Sequence, residues 1–306
     1  MALAMAAVCH GRPADAAPDV LPTWTAELGL SRASSSSPLF RFSPEGTLVL
    51  LPGRSRLAGT LLDGALSGQR EWVLGSDWRP SVSVRVDNSV SRQARDLQFG
   101  QLSVDGSVRR SMALGTAGIG VTLQRLWVAG QTFRDVPGFH LDATRALGIG
   151  SHVMLGYDRA RYRHSGEFVD LDALVQQVSG GGRVADPLPG VSGRDVQAGW
   201  RREDNRRGLQ DLSLLGRYLR LSADHDRGPW SFNVALTLNR SHYRASLDEV
   251  LPARREQSLS VEIGASVDLS DGQTLKMQAQ WSRNRARPAL FDNRYRSFGV
   301  GLASAW

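Results

Sequence analysis

The stretch Trp230-Ser231-Phe232-Asn233-Val234-Ala235-Leu236-Thr237-Leu238-Asn239 changes character at every residue. Trp230, Phe232, Val234, Leu236 and Leu238 hold one frame; Ser231, Asn233, Ala235, Thr237 and Asn239 hold the other. Side chains of a strand point alternately to opposite faces, whereas a helix would place apolar residues three and four apart. The stretch is therefore a strand with one apolar and one polar face. The same pattern returns downstream, with Leu259, Val261, Ile263, Ala265, Val267 and Leu269 set against Ser258, Ser260, Glu262, Gly264, Ser266 and Asp268. Leu275, Met277, Ala279 and Trp281 oppose Lys276, Gln278, Gln280 and Ser282, and Phe298, Val300, Leu302 and Trp306 oppose Ser297, Gly299, Gly301 and Ala303. Upstream, Trp24, Ala26, Leu28 and Leu30 alternate with Thr25, Glu27, Gly29 and Ser31. Trp78, Val82, Val84 and Val86 do so with Arg79, Ser81, Ser83, Arg85 and Asp87.

Composition narrows what such strands build. With 41% hydrophobic residues the chain is too polar for a helical membrane bundle, and past the first ten residues nothing approaches the roughly 18 apolar residues of a spanning helix. A membrane β-barrel escapes that test, because only every second residue meets lipid. Its 306 residues fit one barrel domain. The net charge is +7, and Lys276 is the only lysine among the basic residues. Arginine enrichment of this kind follows from a GC-rich genome, a basic lumen or contacts with anionic headgroups. Cys9 is the single cysteine, which excludes an internal disulfide and a cysteine-based zinc site. Residues 1–16 read as the remnant of a secretion signal, with an apolar run from Ala2 to Val8 and the cleavage pattern Ala14-Asp15-Ala16. The mature domain is then 17–306.

Tryptophan placement and connection lengths favour a barrel in a membrane over a soluble sandwich. Trp24, Trp78, Trp127, Trp230, Trp281 and Trp306 lie in the apolar frame near expected strand ends, as an interfacial aromatic girdle requires. Arg125, two residues before Trp127 in the same frame, is placed to snorkel toward headgroups. The pattern predicts fourteen antiparallel strands, with twelve and sixteen as alternatives. They fall near 22–33, 57–72, 78–90, 99–112, 117–128, 136–146, 150–163, 168–179, 192–202, 212–223, 229–241, 257–269, 273–284 and 294–306. Short connections around Gly75, Gly115, Gly148 to Gly150, Gly228 and Asp271-Gly272 alternate with longer charged ones at Ser34–Arg56, Arg201–Asp211, Ser241–Glu256 and Arg285–Asn293. That asymmetry is the one outer-membrane barrels show, and an even strand count puts both termini on the periplasmic side. Phe168–Val178 also fits helical spacing, Ser179–Gly193 is long for a periplasmic turn, and the strands at 57–72 and 192–202 have the weakest pattern. Hydrocarbon leaves no partner for an open strand edge, so the sheet must close. Fourteen strands enclose more space than side chains fill, which implies a plug or a watery passage.

On the polar frame Arg79, Arg85, Asp87, Glu262, Asp268 and Lys276 are expected to face the lumen. Arg201-Arg202 and Arg206-Arg207 are expected at its mouth. An arginine ring would favour anions; the alternative pairs these arginines with Glu27, Asp87, Glu262 and Asp268 as braces. Catalytic signals are weak. His164-Ser165 and Ser241-His242 are the only places where serine adjoins histidine, both in expected extracellular loops, and adjacency does not make a triad. Glu167, Asp170 and Asp172 read as a solvated acidic stretch more readily than as a calcium site. Gly115 to Gly120 opens a strand and not a helix, so it is not a phosphate loop. The expectation is no enzyme, no metal, no cofactor and no nucleic-acid partner.

From Arg255 onward the chain resembles the C-terminal porin-like barrel of the surface lipoprotein assembly modifier family. The resemblance lies in Arg254-Arg255-Glu256, Leu269-Ser270-Asp271-Gly272, Trp281-Ser282-Arg283-Asn284, Leu290-Phe291-Asp292-Asn293 and the strand Phe298-Gly299-Val300-Gly301-Leu302 ending in Trp306. A first strand such as Trp24 to Ser31 followed by serines is similar as well. The resemblance implies a fourteen-strand barrel that assists translocation or display of surface lipoproteins, without the tetratricopeptide domain that usually precedes it. In-frame Phe298 and Trp306 read as the signal the barrel-assembly machinery recognises. Outer-membrane lipids, that machinery and a secreted cargo are the expected partners. A passive channel for small, including anionic, solutes and a soluble secreted β-sandwich are the competing readings.

Overall fold

The computed structural model describes residues 22–42, 48–91, 98–148, 150–185, 193–246, 252–270 and 272–306. The Ala2–Val8 and Ala14–Ala16 signal features and Asp271 lie outside the described residues. Fourteen antiparallel strands follow one another around a closed barrel. They are β1 (Thr23–Phe42), β2 (Leu48–Glu71), β3 (Trp78–Val90), β4 (Phe99–Met112), β5 (Gly115–Val128), β6 (Gln131–Gly148) and β7 (Ser151–His164). The second half is β8 (Ala173–Ala185), β9 (Gly193–Asn205), β10 (Leu214–Arg227), β11 (Trp230–Tyr243), β12 (Arg255–Ser270), β13 (Gln273–Arg287) and β14 (Asn293–Ala305). β14 closes onto β1 along a ladder from Thr25↔Ala305 to Ser36↔Arg294. Trp24 and Trp306 extend it with two backbone hydrogen bonds of 3.0 Å.

The apolar frame lies outside. Leu28, Leu30, Ile119, Val121, Leu123, Leu155, Val196, Val234, Ile263 and Phe298 are all exposed. The ladders keep the frame in step, as in Leu30↔Val300, Val234↔Ile263 and Val261↔Trp281. A one-residue slip would send each polar frame outward, so burial in lipid fixes the register. The polar frame lies inside: ion pairs that skip a strand, such as Arg183 on β8 with Asp224 on β10 at 3.0 Å, form only on the concave side, where side chains converge.

Both termini and the tight turns share one end of the barrel, here the terminal end. Gly228 (φ +59°) and Gly272 (φ +76°) make two of those turns in the left-handed region, which glycine enters without steric cost. At the opposite, far end the pattern departs from expectation. Most of the expected loop Ser34–Arg56 is strand: β1 runs on to Phe42 and β2 starts at Leu48, with a ladder that reaches Phe42↔Leu48, and residues 43–47 lie outside the described residues. β14 leaves β1 at Ser36 and β3 leaves β2 at Leu62, so this hairpin stands above its neighbours. The weak pattern at 57–72 belongs to the wall part of β2, the longest strand, where the outward frame alternates Leu62 and Leu66 with Gly64, Gly68 and Arg70. Phe168 to Leu171 form a 3₁₀ turn, and β8 starts only at Ala173 and runs through Gly180, Gly181 and Gly182. The β5–β6 connection is a two-residue turn at Ala129-Gly130, which breaks the expected rule of long loops at this end.

Candidate functional site: the lumen and its far-end mouth

Inward residues come from alternate positions of all fourteen strands. Arg79, Arg85, Asp87, Glu262, Asp268 and Lys276 all stand in this frame, by the register of β3 with β4 and β12 with β13. The arginines form no open ring. Arg79 meets Glu71 at 3.5 Å and Arg85 meets Asp87 at 2.6 Å. Arg109 meets Asp142 at 3.5 Å, and Arg220 meets Glu262 at 3.2 Å. Arg183 bridges Asp195 and Asp224 at 3.3 and 3.0 Å. Lys276 donates to Glu27 across the β13–β14–β1 wall. All of these pairs except Arg85–Asp87, which lies within β3, tie two or more strands together, and an acid left alone there would keep an uncompensated charge. Other inward acids have hydroxyl donors instead: Ser89 to Asp63, Thr122 to Asp105 at 2.9 Å and Thr274 to Asp268 at 2.9 Å. The inward frame therefore carries an excess of carboxylates over cations among the described residues.

Bulk is distributed unevenly around the wall. Along β6–β10 the inward frame holds His140, Asp158, Tyr162, Arg183, Arg201, Tyr218 and Arg220. Along β14, β1 and β2 it holds mostly small residues, Ser297, Gly299, Gly301, Ala303, Gly29, Ser31, Ala33, Ala65 and Ser67, together with Tyr295, Glu27, Leu61 and Asp63.

The far-end mouth is narrowed on the crowded side. Val136, Tyr162, Ala173 and Val175 form a buried inward cluster, and Phe133 packs edge-on to Phe168 of the 3₁₀ turn at 5.1 Å. The Arg134 guanidinium lies 4.1 Å over the Tyr162 ring, and Arg201 donates to Glu203 (2.7 Å) and to the Tyr162 hydroxyl (3.3 Å). Arg254 is sandwiched between Tyr243 and Phe291, 3.5 and 4.1 Å from the two rings. Such stacking holds a guanidinium in place without a second carboxylate.

Several expected features are placed differently. Arg201 and Arg202 do not act together: Arg201 points inward, while Arg202 faces outward and pairs with Asp204 at 2.6 Å. Arg207 pairs with Asp170 at 3.5 Å. Ser241 and His242 are not in a loop but on β11, on opposite faces. His164 ends β7 with its backbone N–H bound to Asp172 (2.6 Å), so Asp172 shapes the turn. Among the described residues no cluster of His, Cys, Asp or Glu is placed to hold a metal ion.

Of the girdle residues, Trp24, Trp78, Trp230 and Trp306 stand at the terminal end, and Trp127 stands near the far end of β5. Trp281 is not at a strand end, because β13 continues six residues beyond it. Arg125 does not snorkel unpaired; it meets Asp135 on the outer wall at 2.7 Å. Sequence reading missed Trp200, which is 68% exposed on the outer wall of β9. Its frame, Val196-x-Ala198-x-Trp200, was the available signal.

No family model and no curated protein matches the chain. Solved structures do. The TodX monoaromatic hydrocarbon channel (ΔS2 mutant) is similar with a TM-score of 0.51 at 10% identity, over 94% of this chain and 90% of that one. A Pseudomonas aeruginosa FadL homologue is similar with a TM-score of 0.46 at 12% identity, over 93% and 90%. An anion-selective porin from Comamonas acidovorans is similar with a TM-score of 0.45 at 10% identity, over 94% and 99%. At these identities what is shared is the fold, the closed barrel of Gram-negative outer-membrane proteins.

Proposed function

We propose that the chain is an outer-membrane barrel with both ends in the periplasm, and that its lumen passes small hydrophilic solutes with a preference for cations. The observation that carries this reading is the charge arrangement of the inward frame. Arg79, Arg85, Arg109, Arg183, Arg220 and Lys276 each face a carboxylate, while Asp63, Asp105 and Asp268 are held by hydroxyls. Surplus acid along a pore repels anions and concentrates cations. On this reading the path runs past the small inward side chains of β14, Ser297, Gly299 and Gly301. The periplasmic assignment rests on the short turns, which in such barrels face that compartment. On this reading the protein is not an enzyme, and its partners are bilayer lipids and the barrel-assembly machinery. Purified protein reconstituted in planar bilayers tests it. Steady conductance steps are expected, with a reversal potential favouring potassium over chloride and smaller steps for Ser297→Trp. Silence, or anion preference, refutes the channel.

A second reading, assistance to surface lipoproteins, has its own support. The β1–β2 hairpin rises above the wall at the far end, where a surface cargo would emerge, and the C-terminal motifs resemble the surface lipoprotein assembly modifier family. Deleting the gene in its host decides it: unchanged exposure of every surface lipoprotein rejects this role.

A further inference from the structure

The outer wall of β9–β13 turns from apolar to basic toward the far end. The ladders set Ala198, Leu219, Leu238, Leu259 and Arg283 side by side, and one step toward the far end they set Trp200, Arg217, Arg240, Gln257 and Arg285 side by side. One step further come Arg202, Leu215, His242, Arg255 and Arg287. Arg217 and Arg240 are direct cross-strand partners, and like charges in that position repel. Arg217, Arg240 and Arg285 meet no carboxylate among the described residues. Asp204 is the only described acid in the outward frame of these five strands, and Arg202 and Arg244 already hold it at 2.6 and 2.7 Å.

Below the arginines lies a groove of about 670 Å³ on the lipid side, with Trp200 and Trp281 among its lining and Leu219, Leu238 and Leu259 on its floor. Its position agrees with the level of headgroups. Arg240 is ten residues above Trp230 of the terminal girdle, about 25 Å along the axis at ~3.3 Å per residue and a ~40° tilt. That equals the height of the apolar band, so the guanidiniums stand where acyl chains give way to headgroups. Arginine grips phosphate through two parallel N–H donors, and an anion between Arg217 and Arg240 removes their repulsion.

We infer that this groove is a binding site for a multiply acylated lipid with a phosphate-bearing headgroup. Acyl chains lie on Leu219, Leu238 and Leu259 between the two tryptophans, and phosphate is held by Arg217, Arg240 and Arg285. The inference concerns the outer wall and takes from the proposed function only that the barrel stands in a bilayer. A barrel silent in conductance measurements leaves it intact.

The test uses the full chain in phosphatidylcholine nanodiscs doped with hexa-acylated bisphosphorylated lipid A, with retained lipid counted by native mass spectrometry. Retention of lipid A is expected to exceed that of its fully dephosphorylated form by at least about tenfold. Changing Arg217, Arg240 and Arg285 together to Gln should lower retention by a similar factor, while Arg145→Gln, outward at the terminal end, should not change it. Millimolar inorganic phosphate should not displace the lipid. Equal retention of the dephosphorylated lipid, an unchanged triple variant or displacement by free phosphate would each overturn the site. If the triple variant does not fold, the comparison of the two lipids on the native protein still decides.

Discussion

Moving one arginine across the barrel wall tests which frame meets lipid. Val234 faces outward on β11 between Ala223 and Ile263, and Asn233, one residue earlier, faces inward beside Asp224. Val234 lies four residues above Trp230 and six below Arg240, which places it about 10 Å from one edge of a roughly 25 Å band, close to its middle. An arginine at the midplane of a barrel's lipid face costs about 2–4 kcal/mol. Val234→Arg should therefore lower the folding equilibrium constant by about 30- to 900-fold, at 1.36 kcal/mol per decade. Asn233→Arg enters a watery lumen beside a carboxylate and should stay within about 0.5 kcal/mol of the parent protein, like other surface changes. Equilibrium urea unfolding of the two variants in phospholipid vesicles, followed by tryptophan fluorescence, measures the difference. Equal destabilisation of both, or a larger loss at Asn233, would refute the frame and with it the reading of the lumen.

Two further outcomes follow from particular contacts. Replacing Glu262 by Gln removes the carboxylate facing Arg220 at 3.2 Å. With both groups partly exposed, the cost should be about 1 kcal/mol in urea unfolding, and the reversal potential in planar bilayers should move toward chloride. Gly272→Val forces a branched side chain into φ +76°, and its Cβ would fall 2.6 Å from the Ala305 carbonyl oxygen. A loss of about 1–3 kcal/mol is expected, read as a lower urea midpoint than for Gly75→Val, where φ is +67° but nothing crowds the new atom.

Much of the barrel could be read from residues 230–239 outward, because a strand's two faces are a local property. Boundaries such as Trp78–Val90 and Phe99–Met112 agree with the pattern to the residue. Reading was poorest at the far end, where strands leave the lipid and the alternation that marks them is no longer required. There β1 and β2 continue beyond Ser34, and Phe168 to Leu171 leave the sheet. The polar frame could be assigned to the lumen from parity alone, but the partners within it could not. Arg79 finds Glu71 and not one of the acids expected for it, and Lys276 finds Glu27 across the closing seam.

The sequence by itself determined the strand set, the two faces of each strand and closure. A period of two is written residue by residue, and hydrocarbon tolerates no open edge. Only the tertiary structure decided how the arginines are sorted. Most of those in the inward frame meet carboxylates: Arg85 and Arg201 on their own strands, and Arg79, Arg109, Arg183 and Arg220 on strands that register brings beside them. Arg217, Arg240 and Arg285 stand in the apolar frame near its far end and come together on one face only when β10 to β13 pair. Register and closure are set by the sum of many ladder contacts and by the lipid outside. No local stretch of sequence contains either.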